Sequence, residues 1–146
     1  MHTGRTRVLA LVSVLAAALL SAQASLLSKE YVFKAGTLLE MGTVNDDGVR
    51  LDAVQFDLPK SGFLGTGVGG TMNAHVAVTN SGQLTRRVGL GIALFDDGGN
   101  LVGVASGGTR LMAIKPGQQR FYTLDFDGLR TEAHKATKFR ITLETR

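Results

Sequence analysis

Apolar and polar residues alternate in short runs along most of residues 31–146, and Gly, Asn, Asp and Pro break the runs. Alternation at period two puts successive side chains on opposite faces, so each run predicts a strand with one buried face. Residues 31–44 carry Tyr31, Val32, Phe33, Leu38, Leu39, Met41 and Val44, and the turn Asn45-Asp46-Asp47-Gly48 follows. A second apolar run begins at Val49, so the two runs read as a hairpin around an Asp-Gly turn. Within it, Val49 and Leu51 share one parity while Val54, Phe56 and Leu58 share the other. A switch near Ala53 points to a bulge or a change of sheet. Pro59 ends the run by removing a backbone donor.

The remaining strands follow the same logic. Met72, Ala74, Val76 and Val78 alternate with Asn73, His75, Ala77 and Thr79, and Asn80-Ser81-Gly82 turns the chain. Val88, Leu90, Ile92 and Leu94 form the clearest apolar face. Their partners Gly89, Gly91 and Ala93 are small, so the opposite face is closely approached or bare. Asp96-Asp97-Gly98-Gly99-Asn100 is a tight turn before two short runs, 101–106 and 109–114. In Lys115-Pro116-Gly117-Gln118, Pro fixes the first corner and Gly accepts the positive φ of a type II turn. Residues 119–126 and 138–144 are the last strands, with one helical turn expected around 128–134. Val76, Leu90, Ile92, Leu94, Leu111, Leu124, Phe139 and Ile141 are predicted core, and Arg140, Thr142 and Glu144 solvent-facing. The strands from residue 49 onward are 49–58, 72–79, 87–95, 101–106, 109–114, 119–126 and 138–144. About seven antiparallel strands in this length predict an all-β, immunoglobulin-like sandwich.

The opening of the chain is different. His2, Arg5 and Arg7 precede an apolar run over residues 8–20, and Ser21-Ala22-Gln23-Ala24 supplies small residues for an Ala-x-Ala cleavage site. Charged start, short apolar middle and small-residue exit form a secretory signal peptide. The run is shorter than the roughly 20 residues of a membrane-spanning helix. The chain is therefore divided into a signal peptide helix over 1–24, an N-terminal arm or extra strand over 25–48, and a sandwich over 49–146. The expected location is periplasmic or extracellular, with membrane attachment only if the signal stays uncleaved.

Composition narrows the partners. No cysteine occurs, which excludes a lipoprotein signal and any disulfide. The core alone must hold the fold, and the 122 residues from 25 to 146 suffice for one. The signal segment carries Arg5 and Arg7 and no acid, so its removal lowers the formal charge from +4 to +2. A nearly neutral domain is not a nucleic-acid binder by charge.

Residues 76–126 carry a set of turn and strand features in fixed order. They are Val78-Thr79-Asn80-Ser81-Gly82, then Leu90 to Phe95 running into Asp96-Asp97-Gly98, then Leu101-Val102, then Lys115-Pro116-Gly117-Gln118 before Phe121. This stretch resembles the FxLYD-type domains of exported bacterial proteins and their immunoglobulin-like relatives. The family's Phe-x-Leu-Tyr-Asp string is absent; Phe121-Tyr122-Thr123-Leu124-Asp125 echoes it. The resemblance implies a sandwich with roles in adhesion or assembly, and it offers no catalytic residue to carry over.

Gly65-Thr66-Gly67-Val68-Gly69-Gly70 has the dinucleotide spacing, but a strand follows where a helix is required, and position 90 is Leu rather than an acid. The loop over 60–71 instead offers Phe63, Leu64 and Val68 as a partner-contact surface. The Asp-rich turns lack the EF-hand spacing and read as turn chemistry. His75 and His134 are isolated, and without cysteine they predict no zinc site. No Gly-x-Ser-x-Gly elbow occurs. Arg86, Arg87, Lys135, Lys138 and Arg140 read as charges that discourage edge-to-edge aggregation. The phenylalanines fall at core parity, leaving no stacking surface. No catalytic residue, metal ligand or cofactor is assigned.

The leading functional expectation is a non-enzymatic exported interaction domain that binds a protein or cell-envelope component. The alternative is a structural subunit of an envelope or surface assembly, using the 25–44 segment for strand addition. A small hydrolase or ligand carrier has the least support from the residues. Processing is directly testable: mass spectrometry of the exported protein should find Ser25 at the mature N-terminus. Residues 1–24 retained in a membrane fraction would indicate an anchor instead.

Overall fold

A computed structural model describes residues 25–45, 47–58, 71–109, 113–127, 129 and 132–146. Eight strands form in chain order: β1 (Ser25–Val32), β2 (Leu38–Val44), β3 (Val49–Asp57), β4 (Met72–Asn80), β5 (Val88–Phe95), β6 (Leu101–Gly108), β7 (Gln119–Phe126) and β8 (Lys138–Thr145). A 3-10 turn, Glu132–Lys135, precedes β8. One sheet has the order β1-β8-β5-β6 and the other β2-β3-β4-β7, and every strand pair is antiparallel. The protein is a β-sandwich of two four-stranded sheets.

The core lies where the inward parities of the two sheets meet. Leu90, Ile92 and Leu94 of β5 and Phe139, Ile141 and Leu143 of β8 face Leu51, Val54 and Phe56 of β3, Val76 and Val78 of β4, and Leu124 and Phe126 of β7. Seven of the eight predicted core residues are buried; Leu111 lies outside the described residues, as does the predicted signal helix. The parity switch in β3 is a real bulge, since the β3–β4 register shifts between Leu51 and Ala53. The extra residue lets Val49, Leu51, Val54 and Phe56 all point inward. The Pro116-Gly117 corner has the positive φ it needs, 74° at Gly117.

The small residues of β5 are small because β8 crowds them. A Cβ on Gly91 would stand 2.7 Å from the Thr142 hydroxyl oxygen. That hydroxyl donates to the Gly91 carbonyl at 3.3 Å. Thr142 and Glu144 are consequently half-buried, whereas Arg140 is exposed as expected.

Several features differ from the sequence-based expectation. From residue 49 onward six described strands stand where seven were expected. The two strands before residue 49 arise from the segment expected as an arm or extra strand, and they join different sheets. Of the run 109–114, residues 110–112 are outside the described residues, and Ile114 forms an isolated bridge with Arg86. The phenylalanines are not all at core parity. Phe121 is 74% exposed, because Leu124 and Phe126 take the inward parity of β7 and leave Phe121 on the outer face. Phe95 is also outward, with the Arg140 guanidinium 5.6 Å from its ring centroid.

One end of the sandwich is tied by polar groups. The Asn45 side-chain carbonyl accepts from the backbone N–H of Asp47 and Val49 at 3.1 and 2.8 Å, closing the β2–β3 turn. Its amide donates to the Thr145 hydroxyl at 3.0 Å, linking that turn to the other sheet. The Thr145 hydroxyl in turn donates to the Asp47 carboxylate, which pairs with Arg86 at 3.0 Å. Asn80, fully buried, donates to the carbonyls of Leu84 and Ile114 and accepts from Gly82 N–H.

Ile92 sits mid-strand with 2% exposure. Ile92→Ala should lower the unfolding free energy by roughly 2–5 kcal/mol in a denaturant titration. A loss below about 0.5 kcal/mol, the scale of a surface substitution, would contradict the packing described.

Candidate functional site

Register brings together polar side chains on the outer face of the β2-β3-β4-β7 sheet. His75 stands opposite Gln55 on one side and Thr123 on the other. Its Nδ1 lies 3.2 Å from the Thr123 hydroxyl oxygen, and its Nε2 lies 3.2 Å from Asp57 Oδ2. Gln55 donates to the other oxygen of Asp57 at 3.1 Å. The order hydroxyl, imidazole, carboxylate is that of a nucleophile relay, but the surroundings are not. The His75 and Asp57 side chains are 45% and 50% exposed on an open sheet face. Water there screens the carboxylate and solvates the hydroxyl, which removes the field that activates such a group. We therefore read the row as a solvated polar network. Among the described residues no group of three or more His, Asp or Glu side chains is placed to hold a metal ion.

A second network lies further along the same face. Asp52 accepts from Thr79 at 2.6 Å and Gln119 at 2.9 Å, and it pairs with Arg50. Burial alone would raise its pKa, but the hydrogen bonds from Thr79, Gln119 and Arg50 outweigh that and hold the carboxyl below its ordinary value. Both Asp-rich turns act as turns. Asp96 accepts from the Asn100 backbone at 2.8 Å and from its side-chain amide, and Asp47 is engaged as described above.

The basic residues singled out by sequence are dispersed rather than gathered. Arg86 pairs with Asp47, Lys135 with Glu132, and Arg140 with Glu30. His134 is exposed on the 3-10 turn. The partner-contact residues Phe63, Leu64 and Val68 lie outside the described residues.

The surface that stands out is the flank where β1 and β2 end their sheets. A cleft of about 460 Å³ opens between them, lined by Tyr31, Val32, Lys34, Leu38, Leu39, Glu40 and Met41. The Tyr31 hydroxyl spans the gap to the Thr43 hydroxyl at 3.2 Å. The four edge strands are not equally open. The β2 register is broken by a bulge between Glu40 and Thr43. β6 and β7 close the opposite flank together, where a Cβ on Gly107 would stand 3.4 Å from Leu124. β1 pairs with β8 through all eight of its residues without a shift.

The free side of β1 can be read from the ladder. Arg87 and Arg146 exchange reciprocal backbone bonds, so even-numbered residues of β8 face β5 and odd-numbered ones face β1. Phe33 N–H donates to the Thr137 carbonyl in the same sense. Leu26, Ser28, Glu30 and Val32 therefore turn their N–H and C=O groups away from the sheet. Leu26 and Val32 also expose 68% and 65% of their surface. The 25–44 segment was expected to serve strand addition, but which strand is open, and on which side, depends on which strands become neighbours, as does the His75 row. The outward parity of His75 and Thr123 was the readable signal.

No protein-family model matches the chain, and no curated protein matches it either.

The lowered Asp52 pKa carries a pH signature. A carboxyl depressed by folding adds stability above its unfolded-state pKa and loses it as pH falls through the folded-state value. Asp52→Asn should therefore flatten the fall in urea-unfolding free energy between about pH 5 and pH 2. Identical slopes for the two proteins would contradict the assigned network.

Proposed function

We propose that this is an exported, non-enzymatic interaction domain that binds a protein or cell-envelope component through the open edge of β1. The observation that carries the reading is the unbroken eight-residue register of β1 on β8, with backbone groups that find no strand partner among the described residues and two exposed apolar side chains on its outer side. Such an edge is a template for an added strand: main-chain bonds supply affinity, and alternate side chains supply selectivity. The signal-peptide pattern of residues 1–24 supports export. The open, half-exposed setting of Thr123, His75 and Asp57 supports a binding rather than a chemical role.

The strand arrangement supports an immunoglobulin-like reading. β4 pairs with β7 in one sheet and β5 with β8 in the other, and the chain crosses between sheets after β1, β4, β6 and β7. That is the B–E and C–F pairing of immunoglobulin-like sandwiches, with β1 beside the F-like strand. The turns shared with FxLYD-type domains, Asn80-Ser81-Gly82 and Lys115-Pro116-Gly117-Gln118, fall at crossings between the sheets. A second reading, a subunit of an envelope or surface assembly, draws on the same free edge.

Ser28→Pro tests the edge selectively. Ser28 N–H faces away from β8, where proline is tolerated in an edge strand, yet the change deletes a donor needed by any added strand. Cosedimentation with isolated cell envelopes should fall at least about tenfold for this variant, as one blocked backbone register requires. The double variant His75→Ala/His134→Ala should bind as the unmodified protein does. Full binding by the Ser28→Pro protein, with an unchanged unfolding curve, would overturn envelope binding through the β1 edge, and loss of binding in a histidine variant that unfolds normally would place the contact on the His75 face instead.

A further inference from the structure

The sequence of β1 has a near-mirror chemistry about Lys29. Leu26 and Val32, three residues to either side, are both apolar and exposed. Leu27 and Tyr31, two residues away, are both apolar and half-buried, and Ser28 and Glu30, one residue away, are both polar. An antiparallel pair of identical strands places residue i opposite residue j with a constant sum, so such a mirror is what self-pairing requires. We propose that the free edge of β1 pairs with β1 of a second copy about a two-fold axis at Lys29, joining two sheets into one continuous sheet. This rests on the open-edge reading of β1 and names its partner.

Ladder geometry admits only registers that oppose even-numbered residues, and side-chain chemistry selects among them. The outward backbone groups belong to even-numbered residues, so opposed hydrogen-bonded pairs must be even with even. Centring on Lys29 gives Leu26 with Val32 of the second copy and Ser28 with Glu30, and both pairs satisfy that rule. Leu26 and Val32 then cover each other on the outer face, and Leu27 meets Tyr31 on the inner face. Moving the axis to Ser28 would set Leu26 against Glu30 and leave Val32 unpaired. Moving it to Glu30 would oppose two carboxylates, which is unfavourable for directly opposed like charges.

The chosen register has one cost, Lys29 opposite Lys29. The monomer already draws this ammonium away from the axis, 5.4 Å from the centroid of its own Tyr31 ring. The two strands run in opposite directions, so the two ammonium groups are drawn apart. One strand edge covers less area than the roughly 1,200–2,000 Å² of a stable interface. The dimer is accordingly concentration-dependent.

The absence of native cysteine makes the register directly readable. A non-hydrogen-bonded antiparallel pair holds its Cα atoms about 4.5 Å apart, within disulfide reach. At residues 28 or 30 the equivalent atoms of the two copies are about 8 to 9 Å apart, beyond it. The exported protein should sediment as a monomer–dimer equilibrium from low to high micromolar concentration. Under mild oxidation Lys29→Cys should cross-link at least about tenfold faster than Ser28→Cys or Glu30→Cys. A monomer at every concentration, or equal cross-linking at the three positions, would overturn the proposal. If the protein stays monomeric while Ser28→Pro loses envelope binding, self-pairing fails and the edge reading stands. If Lys29→Cys cross-links selectively while Ser28→Pro binds envelopes fully, the envelope partner fails and self-pairing stands.

Discussion

A run of aromatic rings crosses the sandwich and fixes the rest of it. Tyr31 stacks on Phe139 at 5.4 Å, Phe139 meets Phe56 edge-on at 4.9 Å, and Phe56 touches Phe126 and Phe33. The run links β1 and β8 of one sheet to β3 and β7 of the other. With no cysteine in the chain, no covalent tie shares that task. Aromatic pairs add about 0.5–1.5 kcal/mol each beyond the apolar area they bury. The stack matters most for β1, whose side chains otherwise reach little of the core. Tyr31 holds that strand against β8 on its inner face, and β1 stands at the edge of its sheet.

Polar groups complement this core at one end. Buried Asn45 and Thr145 connect the β2–β3 turn to the last strand, and Asp47 extends the connection to Arg86. Apolar contact between the facing sheets is non-directional, whereas a buried polar group left without its partner is heavily penalised. The Asn45–Thr145 bond therefore fixes how the two sheets align, while the aromatic run fixes their separation. Turn residues chosen for local conformation thus also set long-range geometry.

Much of the fold was legible because inward parity is written into single strands. Leu90, Ile92 and Leu94, and Phe139, Ile141 and Leu143, declare their buried face without reference to any neighbour. The bulge near Ala53 was legible for the same reason. What depended on neighbours was not. β1 reads Ser-Leu-Leu-Ser-Lys-Glu-Tyr-Val, in which Leu26 and Leu27 fall on opposite faces and blur the alternation. Phe121 resembled a core residue until Leu124 and Phe126 claimed the inward side of β7. The row of Thr123, His75 and Asp57 requires three strands in register. The free edge requires β8 to have β5 on one side and β1 on the other. Sequence alternation encodes faces, and only topology decides edges.

β1 is bound to its sheet on one side and open on the other. Residue-resolved amide hydrogen exchange on dilute exported protein reads this directly, because the two sides belong to alternate residues. Protected amides at Leu27, Lys29 and Tyr31, with rapid exchange at Leu26, Ser28, Glu30 and Val32, are the expected result. Protection of both sets at the lowest concentration, or of neither, would contradict it.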